Sequence, residues 1–237
     1  MPVLILFDID GTILKLKYGI SKNIFIELLS DLFNINISQS DLPGFAGKTD
    51  LQIFSEISKL NHFPYSIIEN NLSEIRKQMT VRFKFYCTAE HIEELPGAAN
   101  LIDMTNNDKD YTIGLLTGNF IEIAYMKLNA LHLGKYFPFG SFGSDEADRW
   151  KLPPIAISRA NKLIGENIFS SENTMIIGDS LLDIDCARRN GIPVAAVATG
   201  GTEFEELAEY QPELIFQNLS DTNYIFSAIN SFWYNRK

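Results

Sequence analysis

Apolar and polar positions follow two rhythms along the chain. Val3 to Phe7 is an unbroken apolar run of the kind found in strands buried on both faces. It runs into an acidic pair, Asp8 and Asp10, and a turn begins at Gly11-Thr12. Helical spacing then takes over. Ile24, Leu28, Leu29, Leu32 and Phe33 recur at that spacing, with Ser21 placed to cap them. Asn34 to Gly47 is turn-rich, broken by Pro43, Gly44 and Gly47. Thr49-Asp50-Leu51-Gln52 reads as a capping box that opens a second helix through Leu60, and Pro64 sits near the first turn of a third helix running towards Tyr86. Residues from about 16 to 88 are therefore expected to be all-helical.

Beyond residue 88 strands and helices alternate. Pro96-Gly97 opens a helix to about Asn107; a strand over 111–116 ends at Thr117-Gly118-Asn119; a helix follows over 120–131. Pro153 and Pro154 start a helix ending near Gly165, and the strand 174–177 ends in Gly178-Asp179. The helix carrying Asp183 to Asn190 stops at Gly191; then come a strand over 193–198, a helix over 203–209, a short strand over 213–216 and a last helix over 221–233. Such alternation implies an α/β fold, a doubly wound parallel sheet with helices on both faces. The expected organisation is a core built from 1–15 and 89–237, with a helical domain, 16–88, inserted after the first strand.

Composition narrows the function. A net charge of −10 argues against a nucleic-acid or anionic-membrane surface, both of which need clustered Lys and Arg. It leaves a phosphate substrate open, because a few local cations decide anion binding once salt screens the rest. No apolar run approaches the length of a membrane helix, and the first residues lack the basic segment of a signal peptide, so a cytoplasmic protein is expected. Cys87 and Cys186 fit no metal or redox spacing and read as reduced thiols.

Candidate chemistry gathers at strand ends, where open α/β sheets bind ligands. Asp8 and Asp10 repel each other there unless a cation joins them or one holds a proton. Thr117 precedes a helix start, whose unpaired N–H groups bind phosphate; it serves equally as a simple N-cap. Lys151, in Arg149-Trp150-Lys151-Leu152-Pro153-Pro154, precedes another helix, and Asp179 and Asp183 follow a third apolar strand in Gly178-Asp179-Ser180-Leu181-Leu182-Asp183. DxDGT, then Thr, then Lys, then GDxxxD, in that order, resembles the four motifs of the haloacid dehalogenase (HAD) superfamily of phosphatases. The match spans nearly the whole chain. The helical block is similar to that superfamily's cap, and the tail, with Gly200-Gly201 before Glu205-Glu206-Leu207 and then Pro212-Glu213-Leu214-Ile215, resembles the phosphoglycolate phosphatase-like branch.

The resemblance implies a HAD-like Rossmannoid core and a mechanism. Asp8 would be the nucleophile, giving an aspartyl-phosphate, and Asp10 the general acid and then base. Mg²⁺ would be held by the Asp8 carboxylate, the Asp10 backbone carbonyl and Asp179. Asp183 would orient a metal-bound water or Lys151, and Thr12 would be either a hydrogen-bonder behind the ligands or a turn residue. Thr117 with the N–H of Gly118 or Asn119 would hold phosphate oxygens, and Lys151 would neutralise charge on Asp8 and the moving phosphoryl group. In the cap, Lys48 could meet a substrate carboxylate or simply be solvated. A small phosphorylated metabolite is the expected partner, phosphoglycolate the leading candidate by resemblance. Oligomeric state is not encoded in any motif.

Four other readings share some of these residues. Gly178-Asp179-Ser180-Leu181 spells an esterase signature, yet none of the histidines, His62, His91 and His132, follows it. A haloacid dehalogenase would not need Asp10 and Asp179 together. A sugar-phosphate mutase keeps Asp10 but would need a sugar-reading cap. A silent binding protein on this fold would not need every catalytic position filled.

Overall fold

The structure, a computed structural model, describes residues 2–236. Its elements in chain order are β1 (Val3–Phe7), β2 (Leu14–Leu16), α1 (Ile20–Phe33), α2 (Asp50–Leu60), α3 (Ser66–Asn70), α4 (Leu72–Tyr86), β3 (Ile92–Glu94), α5 (Ala98–Asn107), β4 (Tyr111–Thr117), α6 (Ile121–Ala130), β5 (Gly140–Phe142), α7 (Leu152–Ile164), β6 (Thr174–Gly178), α8 (Leu181–Arg189), β7 (Val194–Val197), α9 (Phe204–Glu209), β8 (Leu214–Phe216) and α10 (Thr222–Tyr234).

Six strands form one parallel sheet in the order β5-β4-β1-β6-β7-β8. The all-apolar β1 lies inside it, and its side chains alternate between two cores as the pleat demands. Val3, Ile5 and Phe7 face α5, α6 and α10 through residues such as Leu101, Leu128 and Ile229. Leu4 and Leu6 face α7 and α8 through Leu152, Ala156 and Ile184. The fold is thus the expected doubly wound α/β sandwich.

Helices α1 to α4 are inserted between β2 and β3 and pack their own core of Phe25, Leu28, Phe54, Ile75 and Met79. Phe120 and Ile123, from the sheet's side, complete that core. Where the insertion leaves and returns, β2 and β3 pair antiparallel, Leu14 opposite Glu94 and Leu16 opposite Ile92. That ribbon and β5 were not foreseen from the sequence.

Local details also differ. The expected third helix is two, α3 and α4, meeting at Asn71. Ser21 does not cap α1, which starts one residue earlier behind Gly19 in the left-handed region; Ser21 lies inside the helix. Thr49 does cap α2, accepting from the Gln52 N–H at 3.1 Å, but the Gln52 side chain bonds Glu56 instead of turning back. Both cysteines are free thiols. Among the described residues no helix is long and apolar enough to cross a membrane.

Candidate active site

Sheet register explains why distant acids meet. Phe7 of β1 lies level with Leu115 of β4 on one side and Ile177 of β6 on the other. The residues just beyond, Asp8, Thr117 and Asp179, therefore emerge side by side at one edge of the sheet. Ser180 caps α8 with its hydroxyl on the Asp183 N–H, while its own N–H and hydroxyl donate to the Asp183 carboxylate at 3.1 and 2.6 Å. This cap leaves Asp179 free to face β1 and turns Asp183 inward. It also commits Ser180 to the helix start.

Carboxylate oxygens of Asp8, Asp179 and Asp183 lie within 4.8 Å of one another, all buried. Burial pushes Asp8 up to about 7, with Arg149 opposing and Asp183 adding to the rise. Asp179 is pushed well above the carboxylate range by burial and by Asp8 and Asp183. Oxygen donors this close and this destabilised as anions suit a hard divalent cation, which would relieve the repulsion. The backbone is shaped around Asp179: Gly11, with φ of 90°, comes so near that a Cβ there would sit 2.4 Å from its carboxylate. Thr12, fully buried, donates its hydroxyl to Asp179 at 3.2 Å.

The expected cation is not where the motif put it. Lys151 does not join the cluster; it is 40% exposed and pairs with Asp148 at 3.0 Å and Glu146 at 3.5 Å. Arg149 stands there instead. Only 5% exposed, it donates from one terminal nitrogen to Asp8 at 2.9 Å and Asp183 at 2.5 Å. Its Nε is buried with no acceptor among the described residues, so donor capacity is left over at the site. Burial alone would discourage its charge, but Asp183 and Asp8 more than compensate and keep it protonated. The two residues share one turn of 3₁₀ helix before α7, and a step of two around that turn separates an inward side chain from an outward one.

Asp10 is held by a second cation that the sequence reading missed. Lys127 of α6 is 3% exposed at its side chain, bridges both Asp10 oxygens at 2.7 Å and donates to the Asn119 side-chain oxygen, Oδ1, at 2.7 Å. The Asn119 amide donates to Asp10 at 2.6 Å and to the Thr117 hydroxyl at 2.9 Å. Asn119 thereby ties Asp10 to Thr117. Lys127 did carry a sequence signal: it shares the buried helix face of Ile123, Ala124 and Leu128.

Above these groups is a cavity of about 150 Å³, lined below by Asp8, Asp10, Thr117, Lys127 and Arg149 and above by Phe25, Phe45, Lys48, Ile53 and Phe83 of the insertion. The insertion is docked. The Asp50 N–H donates to the Gly118 carbonyl at 2.8 Å, the Phe120 N–H donates to Asp50 at 2.7 Å, and the Thr49 hydroxyl donates to the Ala147 carbonyl at 2.5 Å. Lys48 does line the cavity, yet its ammonium is paired with Glu56.

A doubly wound sheet with clustered acids at its carboxyl edge, roofed by a helical insertion, defines a class of hydrolase. The chain belongs to the haloacid dehalogenase-like hydrolase family, whose model matches residues 5–197. It is 24% identical over 220 residues to pyrophosphatase PpaX of Listeria welshimeri, covering 92% of this chain and 93% of that one. Its fold is similar to that of a β-phosphoglucomutase from Clostridium difficile, with TM-score 0.71, 19% identity and coverage of 98% and 99%. It is also similar to a protein from Haemophilus somnus described as a predicted phosphoglycolate phosphatase, with TM-score 0.68, 18% identity and coverage of 95% and 98%.

Proposed function

We propose that the chain is a Mg²⁺-dependent phosphomonoesterase acting on a small phosphorylated metabolite, with the helices of 16–88 as its lid. The observation that carries this reading is the convergence of Asp8, Asp179, Asp183 and Arg149 beneath a cavity in which Asp10 is separately held. The names of the relative called a pyrophosphatase and of the neighbour described as a predicted phosphoglycolate phosphatase point to phosphoryl compounds as well.

In this reading the Asp8 carboxylate attacks phosphorus and the bond to the leaving oxygen breaks as Asp10 gives that oxygen its proton. Water then attacks the same phosphorus, Asp10 takes its proton, and phosphate departs to restore Asp8. Lys127 and Asn119 keep the Asp10 carboxyl at the cavity floor through both steps. Arg149 balances charge on Asp8 and the phosphoryl oxygens, the part the motif assigned to Lys151. The Thr117 hydroxyl and the adjoining N–H groups of Gly118 and Asn119 receive the remaining phosphoryl oxygens. Asp8, Asp179 and the Asp10 carbonyl would hold Mg²⁺, which supplies positive charge to the phosphoryl group; Asp183 is already committed to Arg149 and Ser180.

The test is phosphate release from a panel of esters. Activity should need Mg²⁺ and vanish with EDTA. Asp8→Asn should remove it and abolish binding of BeF₃⁻, a mimic of the acyl-phosphate. Turnover that survives either Asp8→Asn or EDTA would overturn the scheme.

A further inference from the structure

We infer that the lid side of this site is built for a phosphate monoester with a small, uncharged, largely apolar leaving group, and that it selects against leaving groups carrying a second anion. The inference rests on the hydrolytic reading above and deepens it. It departs both from phosphoglycolate and from the pyrophosphate of the relatives' name.

Among the described residues three cations line the cavity, and each is already matched. Arg149 pairs with Asp8 and Asp183, Lys127 with Asp10, and Lys48 with Glu56. The phosphoryl group itself draws on Arg149 and on the cation that the Asp8–Asp179 cluster suits. A carboxylate or second phosphate further out would be left with Lys48. To use it, the newcomer would have to displace Glu56, whose side chain is 29% exposed and which also accepts from Gln52 at 3.0 Å. The Glu56 carboxylate would then stand unpaired beside another anion, and Asp50, 7% exposed, adds a further acid to the lining.

The wall of the cavity is largely apolar. Phe25, Phe45, Ile53 and Phe83 face the space above the acids. Phe25 and Phe45 meet edge to face, centroids 5.0 Å apart, and Phe25 packs against Phe54 with the rings tilted by 34° and centroids 4.6 Å apart, so the wall is braced from behind. Phe83 carries Lys127 over its ring at 5.5 Å. An ionic group pressed against such a surface loses water without gaining a partner, whereas an alkyl group gains by burial. With a volume of about 150 Å³ the cavity holds the phosphoryl group and a few further atoms.

The experiment compares propyl phosphate, phosphoglycolate and pyrophosphate at saturating free Mg²⁺. Propyl phosphate should lead in kcat/KM by at least about tenfold over each of the others. Glu56→Gln, which leaves Lys48 without its counter-charge, should narrow the gap to phosphoglycolate. A parallel arm reads binding without turnover, as the shift in Tm produced by propylphosphonate against phosphonoacetate; propylphosphonate should give the larger shift. Equal or reversed order in either arm overturns the inference. Turnover with reversed order leaves the phosphatase reading intact. Selective binding of propylphosphonate with no turnover of any ester sinks the phosphatase reading and keeps the pocket.

Discussion

At the scale of single residues the strongest consequence concerns two basic side chains two positions apart. Arg149→Met removes the charge between Asp8 and Asp183, and the loss in kcat should be about 10²–10³, the usual cost of one preorganised electrostatic group. Lys151→Met should stay within about twofold, because an exposed ion pair contributes little. Steady-state kinetics on both variants decides between the structural and the motif assignment. Lys127→Met should mimic the loss of Asp10. Its defect should be large on an alkyl phosphate, which needs a proton on its leaving oxygen, and much smaller on p-nitrophenyl phosphate, which does not. Uniform loss on both esters would mean that Lys127 only supports the fold. Asp8 and Asp179 were legible because each follows an apolar strand, and Asp10 because it stands one residue on from Asp8; a buried strand that stops at an acid has few bland explanations. Arg149 was not, since sequence order cannot tell which face of a tight turn points inward. Lys127 could have been found: a lysine on the apolar stripe of a helix needs an acid, and Asp10 was still without a partner.

Among elements, the decisive contacts join the insertion's loop to the turn after β4. Gly118 has no room for a side chain; an added Cβ would lie 2.0 Å from the Lys48 carbonyl oxygen and 2.8 Å from the Thr49 Cα, both backbone atoms. Gly118→Ala should therefore push the loop off the turn and break the bond from the Asp50 N–H to the Gly118 carbonyl. The expected result is loss of hydrogen-exchange protection at the Asp50 amide together with a destabilisation of about 1–3 kcal/mol, as for other overpacked sites. Unchanged protection would show that the backbone absorbs the methyl group elsewhere. Strand and helix order was readable here because the apolar period switches cleanly from 3.6 to continuous. The elements that escaped are short. β5 has three residues, and Phe142 was hidden in a glycine-rich stretch; β2 and β3 pair only with each other, so neither has the length to show alternation. Asn71, which divides α3 from α4, accepts equally well as a helix interior when only spacing is judged.

For the molecule as a whole, the insertion and the sheet share apolar packing through Phe120 and Ile123, and Asp50 is buried at that junction. Asp50 opens α2 and accepts from the Phe120 N–H at 2.7 Å. Burial raises its pKa to about 7, against the lowering effects of that hydrogen bond and of Lys127, while Asp10 adds to the rise. A carboxyl whose folded pKa exceeds its unfolded value favours the folded state fully only below the unfolded value near 3.8, and that support drains away as pH climbs through about 7. Above that the folded protein must either carry a buried anion or open the junction. Asp50→Asn keeps an oxygen for the Phe120 N–H and cannot ionise. Measured by urea unfolding with Mg²⁺ present in both proteins, the variant should gain on the wild type between pH 5 and pH 8, by on the order of 1–3 kcal/mol, and the difference should flatten above that range. Because the other titrating groups are common to the two proteins, their contributions cancel in the difference. Parallel curves across the range would mean that Asp50 is ionised throughout, held by Lys127 and the start of α6, and that the lid junction tolerates the charge.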